Sequence, residues 1–560
     1  MKNFMLVAVG MFAISQVSVA MTGTSYEHLP AVKKGGNLND SIALTPATLN
    51  PFLTTDVASQ DLASQFYLPL YGTDGETYDY YPSLASAIQI SKDKKDYTYT
   101  INPNAKWTDG TSITSDDVQF SFERMMDPKV QAAAYRSYFE GTTFKKVDPS
   151  KFTFHVDQPK FNTLETLNSF TPVQKKQFVN EADYNTTVQN LKPIGSGPFK
   201  LKTFSRDQMV VYERISNWWA KDLPQFKARY NQDTWTFKII GDTALKYEKF
   251  LRGEVDLMDF TSDQFANQVT KSDSDKIGKS PKDGKSVWAG KLPTDGAMGW
   301  SGIALNLKLP MFASKNTRKG LAYLIDYKTV IDRAYFGLID QSVSPFGSNT
   351  ENTDPALRAG KGKYTYDPKL AAQYFEKDGW KREEGQPFWV KDIHGVKTPF
   401  HFSFKYYASN PASAKMGVIL KEEFKKSGVD LELRPMDGTA LYKDFDESDF
   451  EAINMGWGGG SIYPDPKQIW STESIGQGGS NKVSYSNPKV DELIKKADSE
   501  FNRKKRSQYM QQIGKIIYDD LPYLFLVERH FLIQGISSKL QSPKWVERYG
   551  SGVSRELIHE

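Results

Sequence analysis

Along most of its length the chain switches repeatedly between two hydrophobic periods, and that alternation constrains its fold more than any other feature. YTYTI (97–101), KFTFHV (151–156), TWTFKII (234–240), HFSFKY (401–406) and DLELR (430–434) alternate apolar and polar residues, which predicts strands, and IALNL (303–307) starts a new unit. Between them run segments of helical period. Val57 to Leu68 places Leu62 and Phe66 on one face before Pro69. Thr114 or Ser115 can cap a helix that carries Val118, Phe122, Met125 and Met126 and ends before Pro128. Further helices are predicted over 242–252, 315–331, 367–378, 412–426, 487–501 and 505–517. Residues 261–298, rich in Ser, Lys, Asp and Gly, read as mostly loop. Strands and helices in alternation predict α/β units with mixed sheets, and 560 residues allow three or four such units.

The first twenty residues have the character of an export leader. Lys2 gives a positive start, Phe4 to Ile14 is apolar, and Ser18-Val-Ala20 is small enough for cleavage. No later stretch reaches about 18 consecutive apolar residues, so the mature chain is expected to be soluble. The sequence has no cysteine. That excludes disulfides, thiolate metal ligands, a Cys nucleophile and a lipidated Cys at the leader junction. An exported chain without an anchor is retained only where an outer envelope exists, so the periplasm is the expected compartment, with secretion to the medium as the alternative. The 71 basic and 67 acidic side chains nearly cancel, which gives no reason to invoke nucleic acid.

A search for catalytic chemistry returns little. The six histidines show no HExxH spacing, and His401 sits in an alternating strand, where it reads as a half-buried structural residue. Gly299-Trp-Ser-Gly302 is only part of a nucleophile elbow, and Gly284-Lys-Ser286 lacks the first glycine of a phosphate loop. Asp116 and Asp117 are adjacent, so on a helix they diverge and read as first-turn acids. No catalytic residue, metal site or cofactor is assigned. A glycosidase needs only two carboxylates that sequence cannot pair, so a hydrolase stays open as the alternative.

The order of the motifs then carries a resemblance. TLNPFLTTD (48–56), QFYLPLYGTD (65–74), YTYTINPNAKWTDGTSITSDDVQFSFERMMDP (97–128), PIGSGPFKLKTF (193–204), VYERISNWW (211–219), LRGEVDLM (251–258), NTRKGLAYLIDYKTVID (316–332) and YDPKLAAQYFEKDGW (366–380) are similar, in that order, to the blocks of bacterial extracellular solute-binding family 5. The likeness spans nearly the whole mature chain. It implies a bilobal periplasmic-binding-protein fold with mixed sheets, a hinge, and an additional small domain on the first lobe. By analogy, 1–20 is the leader, 21–70 with 190–290 and 510–560 the first lobe, 71–189 the small domain, and 291–509 the second lobe. The implied function is capture of a peptide or peptide-like ligand by hinge closure, as a monomer, and its delivery to an ABC permease and ATPase. Binding of a sugar or metal complex, or a signalling role, are the alternatives within that fold. Trp107 and Gly110 are read as structural.

One stretch departs from the family. In its peptide-binding branches a second-lobe strand runs into W-x-x-D-x-x-[DE]-P, whose Asp pairs with the ligand's α-ammonium. Here Trp457 aligns, but Gly458, Gly459 and Gly460 follow it, and about two residues precede Asp465-Pro466 as an insertion. Either Asp465 takes the missing acid's place or the ligand presents no free amine there. Three glycines also admit close approach of another backbone, or form a loose loop. The candidate ligand contacts are therefore Trp457, Gly458, Gly459, Gly460, Tyr463 and Asp465, with Thr55 and Val57 after the NPF segment, and the aromatics Trp300 and Tyr406. Residues 485–530 resemble the branch that binds peptide-like antibiotics and modified oligopeptides.

Overall fold

The computed structural model describes residues 16–18, 34–54, 57–74, 77–269, 277–279, 286–293, 299–348, 350–357, 362–458, 464–476, 479–537, 540–541 and 558–559. Two bodies are built around separate apolar cores. In the first, Asn37–Ile42, Thr234–Ile239, Met209–Arg214 and Phe199–Ser205 form a four-stranded sheet in that order, with its first pair parallel and the rest antiparallel. Alternation in Thr234–Ile239 turns Trp235 and Phe237 into the core. A second, antiparallel sheet joins Ala85–Ser91, Asp96–Ile101, Lys151–Val156 and Thr142–Asp148. Tyr99, Phe152 and Phe154 point inward from it and contact one another. The two sheets share one continuous core, so the small domain is not packed separately.

That shared core is closed where the chain passes very near itself. Gly197 N–H donates to the Phe66 carbonyl at 2.7 Å, and Trp218 Nε1 reaches the Ser196 carbonyl between the two glycines. A Cβ on Gly195 would lie 2.0 Å from the Phe66 carbonyl oxygen. Gly195→Ala is therefore expected to cost about 1–3 kcal/mol, as overpacking typically does. The urea midpoint reads it, and an unshifted midpoint would refute the close approach. The turn around Trp107 is structural as well: the ring is buried, and Gly110 occupies φ +87°, a conformation that favours glycine.

The second body holds a six-stranded mixed sheet in the order Asp340–Gln341, Tyr523–Glu528, Gly299–Leu305, Ala452–Gly458, His401–Tyr407, Asp430–Met436. His401–Tyr407 and Asp430–Met436 are parallel, and helix Pro411–Lys426 makes the crossover between them. Tyr523–Glu528 is buried at every residue, as expected for a strand covered on both faces.

The chain passes from the first body to the second after Pro293 and returns after Glu528. Ser286–Pro293 pairs with Phe531–Ser537 in a first-body sheet, and Gly299–Leu305 pairs with Tyr523–Glu528 in the second. The return crossing is therefore residues 529–530. This corrects the expectation that 510 begins the return: Met510, Ile513, Ile517 and Tyr518 pack in the second core. It also corrects the reading of 261–298 as mostly loop, because Ser286–Pro293 is a strand there. Its Gly, Lys and Pro weaken the local strand signal, and pairing with a distant strand overrides it. Beside the crossings, Leu338 of the second body packs against Phe250, Met258, Phe260, Phe265 and Ile533 of the first. Among the described residues no helix is long and apolar enough to cross a membrane.

Candidate functional site

The strand Ala452–Gly458 runs antiparallel to Gly299–Leu305 and ends with Gly458 opposite Gly299. The two glycines near its end serve different ends. A Cβ on Gly456 would meet the Trp300 carbonyl oxygen at 2.3 Å, so that glycine is needed for sheet packing. A Cβ on Gly458 would meet no described residue within 4 Å, and Gly458 is exposed. Trp457 is held at the rim, half-buried, with Nε1 donating to the Tyr523 hydroxyl at 3.2 Å. Gly459, Gly460 and Tyr463 lie outside the described residues.

The chain resumes at Pro464, whose carbonyl accepts from Arg506 Nη2 at 2.9 Å. Asp465 Oδ1 then accepts from the Lys467 backbone N–H at 2.8 Å, at the start of helix Lys467–Trp470. Its carboxylate is thus turned onto its own chain.

The other predicted contacts come from the first body. Asn50 ties its segment down through the Phe52 N–H and Asn190 Oδ1. Thr54 Oγ1 is 3.1 Å from the Tyr135 hydroxyl, which also accepts from Gln60 Nε2. Thr55 lies outside the described residues, and Val57 opens helix Val57–Ala63. Tyr135 belongs to helix Ala133–Tyr138. Further along that helix Ser137 meets Gln468, and just past it Glu140 Oε2 is 3.5 Å from Lys467 Nζ. One short helix therefore bridges the segment carrying Thr54 to the segment carrying Asp465. The bridge places the Thr54 segment of the first body and the Asp465 segment of the second at one seam between the bodies.

Two predicted contacts are not in it. Trp300 is buried, donates Nε1 to the Pro345 carbonyl at 3.0 Å, and packs on Tyr523 and Phe525 with ring centroids 5.0 and 4.6 Å away. Tyr406 is buried beside Phe404. Both sit on the core-facing side of strands, where aromatics serve packing.

The sequence reading missed the other members of this region: Tyr135, Ser137, Lys467, Gln468 and, farther along the seam, Asp498. Only Asp498 left a signal. It falls one turn after Ile494 on the stripe that buries Val490, Leu493, Ile494 and Ala497, an acid where the helical period calls for an apolar side chain. Burial first, and the nearby Asp465 charge second, push its carboxyl up to about 6, against the opposing pull of Lys160, Lys467 and Arg506.

A second constellation was also unforeseen. At the return crossing Glu528 is buried and accepts from the Ser348 N–H at 3.1 Å and from the Ser348 hydroxyl. His530 Nε2 lies 3.3 Å from Glu528 Oε1. Serine, histidine and an acid are the parts of an acyl-transfer triad, but a triad needs the acid on one ring nitrogen and the serine on the other. Here both partners reach Nε2, and Ser348 is buried. The arrangement ties a loop to the crossing. The Glu528 partner holds His530 above its ordinary pKa.

Comparison with known proteins fits this architecture. The model described as bacterial extracellular solute-binding proteins, family 5 middle, matches residues 79–480. The oligopeptide-binding protein AppA of Bacillus subtilis (strain 168) is 26% identical over 506 residues, covering 88% of this chain and 86% of the relative. The dipeptide-binding protein of Escherichia coli (strain K12) is 24% identical over 514 residues, covering 86% and 87%. The structure of B. subtilis AppA in complex with a nonapeptide superposes with a TM-score of 0.81 at 25% identity, covering 94% of this chain and all of that one. The fold is thus bilobal, with mixed sheets in both bodies.

Proposed function

We propose that this chain, which belongs to the bacterial extracellular solute-binding proteins, family 5, captures peptides or peptide-like ligands in the cleft between its lobes and hands them to an ABC permease with its ATPase. It does so as a monomer, without a cofactor and without chemistry on the ligand. The observation that carries this reading is the strand Ala452–Gly458, which ends at an exposed Gly458. An extended ligand can add backbone hydrogen bonds there while its side chains remain free to vary. The relatives named for oligopeptide and dipeptide binding support the same class of ligand.

The lobes in this reading are the two bodies described above, with 71–189 as the small domain and the return crossing at 529–530. Residues 1–20 act as a cleaved leader and the mature protein resides in the periplasm, unanchored. The strand Gln16–Ser18, which pairs with Ala85–Ser91, would depart with that leader.

Asp465 is engaged with the Lys467 N–H, and Gly460 stands where the family's acid is expected. We therefore read the ligand as one that presents no free ammonium at this point. Nine-residue peptides with free and with acetylated N-termini, offered in parallel, test it. Both should raise the unfolding midpoint, since ligand at about 100 times its Kd adds about 2.7 kcal/mol. Asp465→Asn should change either affinity by less than about threefold, because the amide oxygen can still accept from the Lys467 N–H that engages the carboxylate. A tenfold loss confined to free-amine peptides would instead make Asp465 the ammonium anchor. Stabilisation by sugars and not by peptides would assign a non-peptide solute.

A further inference from the structure

We propose that the small domain carries the latch that holds the lobes shut: its Gln158–Phe161 loop engages the turn 498–506 of the second lobe, and Asp498 is the group that loosens the grip. The proposal rests on the reading that the lobes open and close over a ligand. It adds that the grip comes from the small domain, away from the hinge.

The contacts across this seam are of several kinds. The Phe161 N–H donates to the Asp498 carbonyl at 3.0 Å. The Arg506 guanidinium carbon lies over the Phe161 ring, 3.2 Å from its centroid, a cation–π contact. Lys94 Nζ sits 4.0 Å from the centroid of Phe501. Nearer the cleft, Lys467 meets Glu140, and Gln468 meets Ser137. The first lobe itself touches the second through Asp263 with Lys415, while the adjacent Ser262 meets Arg529 of the return crossing. Contacts beside a pivot change little in distance when it turns. Contacts far from it must break, so the small-domain seam is where closure is gained or lost.

Asp498 is the weak point of that seam. Its side chain is 16% exposed, and Lys160 Nζ is 3.9 Å away, too far for a hydrogen bond. It faces Asp465, Lys160, Lys467 and Arg506, and it shares a groove of about 670 Å³ with Glu473, Asp491 and Lys495. An ionised carboxylate buried with so distant a partner opposes closure. Its carboxyl is pushed up to about 6 from the usual 3.8. In the open form the group regains water and its ordinary value. The closed form therefore holds the proton more tightly, and protonation favours closure. Closure is strongest below the ordinary value and weakens as pH climbs through about 6. Above that it is flat. At neutral pH the latch is thus kept reversible.

The chain has no cysteine, so single cysteines placed at the exposed Lys92 and Lys504 can carry spin labels that report the distance across the seam. Two distances are expected without added ligand. The ratio of short to long should fall about tenfold from about pH 5 to about pH 7.5, as the two pKa values dictate. Asp498→Asn, which keeps the shape, should abolish that pH dependence and raise the short-distance share at the higher pH. Phe161→Ala should lower the ratio about fivefold at both pH values by removing the cation–π partner. Two distances whose ratio neither substitution moves would overturn the latch and leave capture by closure standing. A single distance under every condition, with nine-residue peptides included, would overturn the closure reading and the latch with it.

Discussion

Trp300→Ala is expected to lower the stability of the second lobe by about 3–5 kcal/mol, as truncation of a buried tryptophan does. The ring fills the space between Tyr523, Phe525 and Trp470 and hydrogen-bonds the Pro345 carbonyl. Its removal leaves a cavity and an unpaired carbonyl in the middle of the six-stranded sheet. Urea unfolding followed by tryptophan fluorescence reads the loss. Trp300→Phe should lose less, since most of the packing survives and the Pro345 bond does not. If alanine cost under about 1 kcal/mol, as solvent-facing substitutions do, while peptide binding vanished, the ring would belong to the cleft after all.

Glu528→Ala is expected to cost a comparable amount, about 3–5 kcal/mol, the range found when one partner of a buried charged network is removed. The carboxylate accepts from the Ser348 backbone and hydroxyl and pairs with His530 at the crossing between lobes. Alanine strands all three. The pH dependence has a defined sign. Because the folded pKa of His530 is raised, the pair's contribution is fully present below the unfolded histidine value of about 6.5. It is lost as pH rises through the raised value. Glu528→Gln should keep the hydrogen bonds from Ser348 and flatten that part of the pH profile. A profile unchanged by the substitution would contradict the pairing.

How much of this was legible in the sequence depended on whether the signal was local. Lys151–Val156 and Asp96–Ile101 alternate because one face is buried, so period alone located them. Asp367 and Asp242, where helices were read to begin, stand as caps before helices Pro368–Lys377 and Thr243–Leu251. Trp107 in its turn was legible for the same reason. The return crossing was not, because whether Tyr523–Glu528 pairs in one lobe or the other depends on strands more than 200 residues away. Trp457 and the three glycines after it were read only from their place in a known pattern. Trp300 and Tyr406 were misplaced because composition cannot say which face of a strand an aromatic occupies. Tyr135 and Gln468 carried no sequence signal: each acts through a partner on another segment. Asp498 carried one, an acid on an apolar stripe, whose meaning depends on the loop that packs against it.

Native mass spectrometry of the purified chain mixed with a library of nine-residue peptides decides whether it captures them. Complexes of one peptide per chain are expected, drawn from varied sequences, with each peptide recovered intact after denaturation. Recovery of shortened peptides would make the protein a hydrolase, and the absence of any peptide complex alongside binding of sugars or metal chelates would contradict peptide capture.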